Sequence, residues 1–385
     1  MTQEQIDKRV KKLLSKFDDI NTFYIEKVAE QIATIGALST SSMQIISVWA
    51  SMYEDINYIN KKIADAANVT MPELKKLYSD ALNDVYHDDR FVRALEETPL
   101  SDGARDTLER YTESIARQTQ ETLTNLSNTT AVSETYKQAV DKAILVVSSG
   151  LGDYKSQMRN TIREFGCAGL QVEYESGFKR RLDSALRQNI VDGVKQIQQH
   201  ASDVIGEDLG YNAKEISVHA NSAPDHEPVQ GHIFLNEEFE KLQTEQDCVD
   251  IEGRTFYAMR RPIAEWNCMH FAFSFSTKYS KPKYTTEELD QSIEDNAKGC
   301  EIDGKHYTLY EARELMRRIE TDIRRQKDIA VAAKAADDMD LRHECQGKIN
   351  RLTRKYDRVI EVSGLDAHRD RMVVDGFRLV KVKAG

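Results

Sequence analysis

The sequence predicts a mainly α protein: an elongated helical body, a small embedded α+β module and a C-terminal antiparallel helical hairpin. Three observations carry that expectation. Apolar residues recur at steps of three and four through most of the 385 residues, the period of a one-sided helix. Charged residues make up 30% and hydrophobic residues 40%, a polar balance that suits long solvated helix faces. Strand-like runs and turn residues concentrate in a single stretch. The expected divisions are residues 1–206, an N-terminal helical region; 207–283, a small His/Cys module; and 284–385, the hairpin and tail.

The first helix is expected over residues 4–30, where Ile6, Val10, Leu13, Phe17, Ile20, Tyr24 and Val28 share a face. Residues 32–60 continue as helix or helix-turn. Thr70 as N-cap and Pro72 in the first turn start another, running to about Leu95. Pro99 and Gly103 punctuate the chain, and Leu108, Tyr111, Ile115, Leu123 and Leu126 mark the next helix. Asn125 to Thr130 reads as a loop. Residues 133–165 are helical, weakened by Gly150 and Gly152 and ended by Gly166 and Gly169. Ser176 is the expected cap of a helix carrying Leu182, Leu186, Ile190, Val194, Ile197 and Val204. Lys179, Arg180 and Arg181 then fall in its first turn, where positive charge opposes the helix dipole and calls for a partner elsewhere.

After Gly206 the character changes. Glu215 to His219 reads as a strand, residues 220–235 as loop and Asn236 to Leu242 as a short helix. Cys248 to Ile251 and Arg254 to Tyr257 flank a Gly-containing turn as a hairpin. Helix returns at residue 285 with the capping-box spacing Thr285 to Glu288, repeated at Thr308 to Glu311. Asp303-Gly304 reads as a tight turn between them. Two long helices follow, the second ending at Gly364 in a Schellman-type stop, with Cys345 on its apolar stripe. In the tail, Met372 to Val374 and Leu379-Val380 suggest a small strand.

The totals exclude several classes. A net charge of −11 argues against general affinity for nucleic-acid backbone. Five scattered cysteines, Cys167, Cys248, Cys268, Cys300 and Cys345, are no disulfide framework and imply a reducing compartment. Met1 opens a charged helix without an apolar signal segment behind it, and no run reaches the roughly 20 apolar residues needed for a bilayer. A soluble chain made in the cytoplasm is expected. No phosphate-binding glycine loop is present, which speaks against an ATPase.

The chemistry-bearing residues gather in residues 218–235 and 266–275. His219, His226 and His232 are followed by Cys268 and His270. Imidazole and thiolate are zinc's usual donors, so His219, His226, Cys268 and His270 form a candidate metal set, with Cys-x-His on a strand pointing both side chains one way. A second arrangement is nucleophilic: Cys268 with His219, His226 or His270 as base, and Asp225 or Asn267 orienting the imidazole. Asp225 and Glu227 are a weaker acid/base candidate.

These residues also carry a family resemblance. His219-Ala220-Asn221-Ser222-Ala223-Pro224-Asp225-His226, then Gln230-Gly231 and Phe234, resembles the H-x-G-A-R-P-x-H … W-Q-G-x-x-F/Y signature of tailed-phage minor capsid proteins of the minor capsid protein 2 type. Asn267-Cys268-Met269-His270-Phe271 is similar to that family's N-C-R-H and aromatic tail, and Arg180-Arg181 to a paired arginine preceding the signature. The charged helix pair after the motif is similar too, so the resemblance spans roughly residues 175–365. The sequence departs at Asn221 for glycine, Ala223 for arginine, Val229 for tryptophan and Met269 for arginine, and the lost arginines weaken any shared anion site. The resemblance, which extends to the Mu F-like head morphogenesis group, implies a structural head protein of a tailed bacteriophage at the portal vertex, acting in head assembly or DNA packaging and ejection. Its implied partners are portal and other capsid proteins, with packaged DNA nearby and several copies around the portal. Its implied location is the virion, after synthesis in the host bacterial cytoplasm. The alternatives are a virion-carried Cys/His hydrolase or transferase, or a zinc-stabilised adaptor.

Overall fold

The computed structural model describes residues 3–37, 42–68, 71–128, 132–149, 154–174, 176–218, 222–244, 246–257, 261–263, 268 and 270–380. Helix α1, Gln3–Ala37, buries the expected stripe, with Val10 and Ile32 fully enclosed. Helix α2, Ser42–Asn68, packs beside it. Helix α3, Met71–Tyr86, has Pro72 at its second position, where the missing N–H costs nothing; Thr70 lies outside the described residues. The expected continuation to Leu95 is broken. Asp88 accepts from the Arg90 backbone N–H at 3.1 Å and its guanidinium at 2.7 Å, closing a turn before helix α4, Val92–Glu97.

Helix α5, Asp102–Asn128, runs through Asn125 to Asn128, which the sequence marked as loop. Leu126 packs on the core, and that contact outweighs the weak helix propensity of its neighbours. Helices α6, Val132–Ser149, and α7, Tyr154–Ala168, replace one long segment; Gly150 and Gly152 fall outside the described residues.

Ser176 caps no helix. It sits in the turn of a hairpin between β1, Gln171–Glu173, and β2, Lys179–Arg181. Helix α8, Leu182–Asp208, begins one residue later, so Lys179 and Arg180 lie on β2 ahead of it and only Arg181, its N-cap, stands at the positive end of the dipole. Arg181 does have a remote partner: its guanidinium bonds the fully buried Asp328 as well as Asp183. Helix α8 crosses the middle of the body, against α1, α3 and α5.

The α+β module holds β3, Ala213–Ile216; β4, Ile233–Leu235; helix α9, Asn236–Gln243; the hairpin strands β5, Cys248–Val249, and β6, Thr255–Phe256; and β7, Ala272–Phe275. Its main sheet is antiparallel in the order β4-β3-β7, with Ala213 opposite both Leu235 and Phe275. Strand β7 is an edge whose outer backbone needs partners. Helix α8 supplies them. Gln199 accepts from the Ala272 N–H at 2.9 Å and donates to its carbonyl at 2.8 Å, and Ser202 accepts from the Ser274 N–H at 2.7 Å.

The C-terminal part contains helix α10, Thr286–Lys298; a hairpin of β8, Cys300–Ile302, and β9, Lys305–Tyr307; and the antiparallel helices α11, Leu309–Ala335, and α12, Met339–Ser363. Both expected capping boxes form, at Thr285 with Glu288 and Thr308 with Glu311. Asp303 and Gly304 take positive φ in the β8–β9 turn, and Gly364 ends α12 in the left-handed conformation. Tyr356 donates to Glu320 at 2.7 Å between the two long helices. The joined ends of these helices enter the core of the helical body: Ile329 to Ala333, Leu341 and Cys345 pack with residues of α1, α7 and α8. The suggested tail strand does not form: Met372 ends a short 3-10 turn, Arg369–Met372, and plugs the hairpin core, while Val373, Val374, Leu379 and Val380 lie in no strand. Among the described residues no helix is long and apolar enough to cross a membrane.

Candidate functional site

Two chain segments meet at the site. The loop after β3 turns sharply, with the His226 N–H donating to the Ala223 carbonyl at 2.9 Å, and then enters a single 3-10 turn, Glu227–Val229. It leaves through Gln230 and Gly231. Gly231 has φ +71°, and an added Cβ would collide with Leu289. Only glycine combines that backbone with that space. Its N–H returns to the Ile216 carbonyl at 2.9 Å, so the loop closes back on β3. The second segment is the entry to β7. Cys268 and His270 precede the strand rather than lie on it, and the His270 backbone N–H points at the Cys268 sulfur at 3.4 Å.

The two segments bring three of the expected residues together. Cys268 Sγ lies 3.5 Å from His226 Nδ1 and 3.5 Å from His270 Nδ1. The rings meet edge to face, 5.4 Å between centroids. All three side chains are buried, His226 to 1% exposure. The outer nitrogens are held as well. His226 Nε2 is 2.9 Å from the Arg261 carbonyl; His270 Nε2 is 3.2 Å from Gln230 Oε1 and 3.2 Å from Ser222 Oγ. A carbonyl oxygen only accepts, so each Nε2 carries the proton and each Nδ1 turns a lone pair toward the sulfur. Burial disfavours the His226 imidazolium, but Cys268, the Arg261 carbonyl and Asp225 together outweigh it and raise the pKa.

The remaining candidates go elsewhere. His219 and Asn267 lie outside the described residues. Asp225 is engaged by Arg261 in a two-pronged pair at 2.8 Å, which holds its carboxyl below the usual range; it stands 3.9 Å from His226 Nε2. Glu227 accepts from Asn296 and does not join Asp225. His232 pairs with the buried Asp250 at 2.8 Å and packs on Phe256. It braces the β5–β6 hairpin, since Asp250 also accepts from the Glu252 and Arg254 N–H groups.

Four further residues support the cluster: Ser222, Gln230, Arg261 and Lys195. Ser222 and Gln230 stand inside the signature stretch, which was the available signal. Lys195 is on α8, more than seventy positions before Cys268, yet donates to its carbonyl at 3.1 Å. Burial lowers its pKa. No sequence pattern announces that approach. Lys195, Cys268 and His270 line a cleft of about 270 Å³ along α8 with Tyr111 and His200, whose rings stack at 3.8 Å. Chemically, the cluster offers a thiol between two imidazole bases, or two nitrogens and a sulfur converging on one point.

The family model described as phage minor capsid protein 2 matches residues 1–361. The match runs from α1 almost to the end of α12, including the N-terminal helices that the signature residues do not reach. No curated protein and no solved structure matches the chain.

Proposed function

Because the chain belongs to the phage minor capsid protein 2 family, we propose that it is a structural component of a tailed-phage head that docks at the portal vertex and acts in head assembly or in DNA packaging and ejection. The observation that carries the proposal is the extent of the family match, which takes in the helical body, the module and most of the hairpin together. The reading assigns portal and coat proteins as partners and several copies around the portal ring. It is supported by the charge balance: at −11, the chain resists adsorption to the packaged DNA beside which it would sit.

The test is co-purification. The chain should travel with portal-containing heads through gradient separation, and a portal-protein pull-down should retain it. A chain that stays with the soluble host fraction while mature particles lack it contradicts the proposal.

A further inference from the structure

We propose that His226, Cys268 and His270 bind one Zn²⁺ ion, which fastens the signature loop to the entry of β7. The proposal concerns this cluster alone and holds or fails independently of docking at the portal.

The geometry points to it in three ways. First, the donor set is thiolate plus two imidazoles, which suits a borderline-soft cation and not magnesium or calcium. Second, the spacing fits. Tetrahedral zinc with Zn–S of about 2.3 Å and Zn–N of about 2.0–2.1 Å places sulfur and nitrogen roughly 3.5–3.6 Å apart. Both Sγ–Nδ1 distances are 3.5 Å, and the three donor atoms lie within 4.8 Å of one another. Third, the outer nitrogens are already fixed on oxygen acceptors, Arg261 O for His226 and Gln230 Oε1 for His270. Metal-binding histidines are commonly oriented in this way, which fixes the tautomer and raises ligand basicity.

Loading replaces the thiol proton: the S–H bond breaks, the proton leaves to solvent, and the Zn–S bond forms with no change in oxidation state. A tetrahedral ion needs a fourth ligand, which we take to be water, admitted from the cleft along α8 that Cys268 and His270 border.

The experiment uses the full chain purified without chelator. Elemental analysis should find close to one zinc per chain. After chelator treatment, titration with Co²⁺ should give the intense d–d bands of a tetrahedral site and a thiolate-to-cobalt charge-transfer band. Cys268→Ser should lose the charge-transfer band, and His226→Ala or His270→Ala should weaken Co²⁺ binding at least about tenfold. Far-UV circular dichroism of each variant checks folding, and the titration of the unsubstituted chain decides the matter even if a variant fails to fold. Trace zinc with no cobalt spectrum on reconstitution overturns the proposal. So does copper in place of zinc, or rapid alkylation of Cys268 at a rate unaffected by zinc, the signature of a free nucleophile.

Discussion

Arg90 and Glu215 form an ion pair at 2.8 Å that ties the helical body to the middle strand of the module's sheet. Glu215 is 1% exposed, and its other oxygen accepts from the Lys283 N–H at 2.8 Å. Arg90 also stacks on the Phe273 ring, 3.6 Å from its centroid, and is gripped by Asp88. The pair is therefore asymmetric. Removing Glu215 leaves Arg90 with a second carboxylate; removing Arg90 leaves a carboxylate sealed in the protein.

Breaking a buried pair from one side typically costs about 3–5 kcal/mol. Arg90→Met is expected to fall in that range, and Glu215→Gln, which keeps one acceptor oxygen and turns an amide NH2 toward the other donor, to cost about 1–3 kcal/mol. Urea unfolding of the two variants checks the order. Equal losses would mean the pair is not buried as the geometry has it.

Gly193 sets the distance between α8 and α3. A methyl group there would run into the Tyr78 hydroxyl, which donates to Thr119 at 2.9 Å from inside the core. Alanine in a helix gains about 1 kcal/mol over glycine in propensity. Overpacking costs about 1–3 kcal/mol, and a displaced hydroxyl loses its partner as well. Gly193→Ala is thus expected to lower the unfolding temperature, while Gly193→Ala combined with Tyr78→Phe should recover part of the loss. A stabilised single variant would contradict the packing.

Asp183 is held between Arg181 and Arg324. Burial pushes its carboxyl upward, but the two guanidinium groups win and lower its pKa to about 2. A folded-state pKa below the unfolded value of about 3.9 gives stability that is complete above that value and is lost as pH falls toward 2. The difference corresponds to about 2–3 kcal/mol. Asp328 and Asp18 are raised first by their own burial and further by the Asp183 charge, so they titrate in the opposite sense and Asp183→Asn relieves only that second part. The stability gap between the native chain and Asp183→Asn should therefore narrow between pH 4 and pH 2. A gap independent of pH would show that the ion pairs hold no ionised carboxylate.

Burial raises the thiol pKa of Cys248 and Cys345 to about 11 and raises those of Cys300 and Cys167 as well. Only Cys167 of these four is partly exposed. Brief treatment of the native chain with an alkylating reagent near pH 8 should label Cys167 first, with Cys248, Cys300 and Cys345 labelled on unfolding. Mass spectrometry of the peptides reads the order directly. Early labelling of Cys345 would contradict the packing of α12 into the core of the helical body.

Much of the fold was legible because the signals are local. The α1 stripe, both capping boxes, the Asp303-Gly304 turn and the Gly364 stop depend on residues a few positions apart. The misread places depend on distant partners. Ser176 looked like a cap, but Arg181 pairs across nearly 150 positions with Asp328 and takes the chain into a hairpin first. Asn125 to Asn128 looked like a loop, yet Leu126 reaches the core. At the site, the clustering of His226, Cys268 and His270 was visible in composition, but their meeting depends on the β3–β7 pairing that sets the two segments side by side. The departure of His232 to Asp250 was not legible, because nothing in the sequence separates a bracing histidine from a converging one.

The central claim is that this chain is a built-in part of the phage head. A reconstruction of intact particles around the portal vertex, without imposed icosahedral symmetry, tests it most directly. The account predicts density at the portal into which the α11–α12 hairpin and the helical body fit, repeated around the ring. A portal vertex whose density is fully explained by other proteins, in particles from which the chain is absent by mass spectrometry, would contradict it.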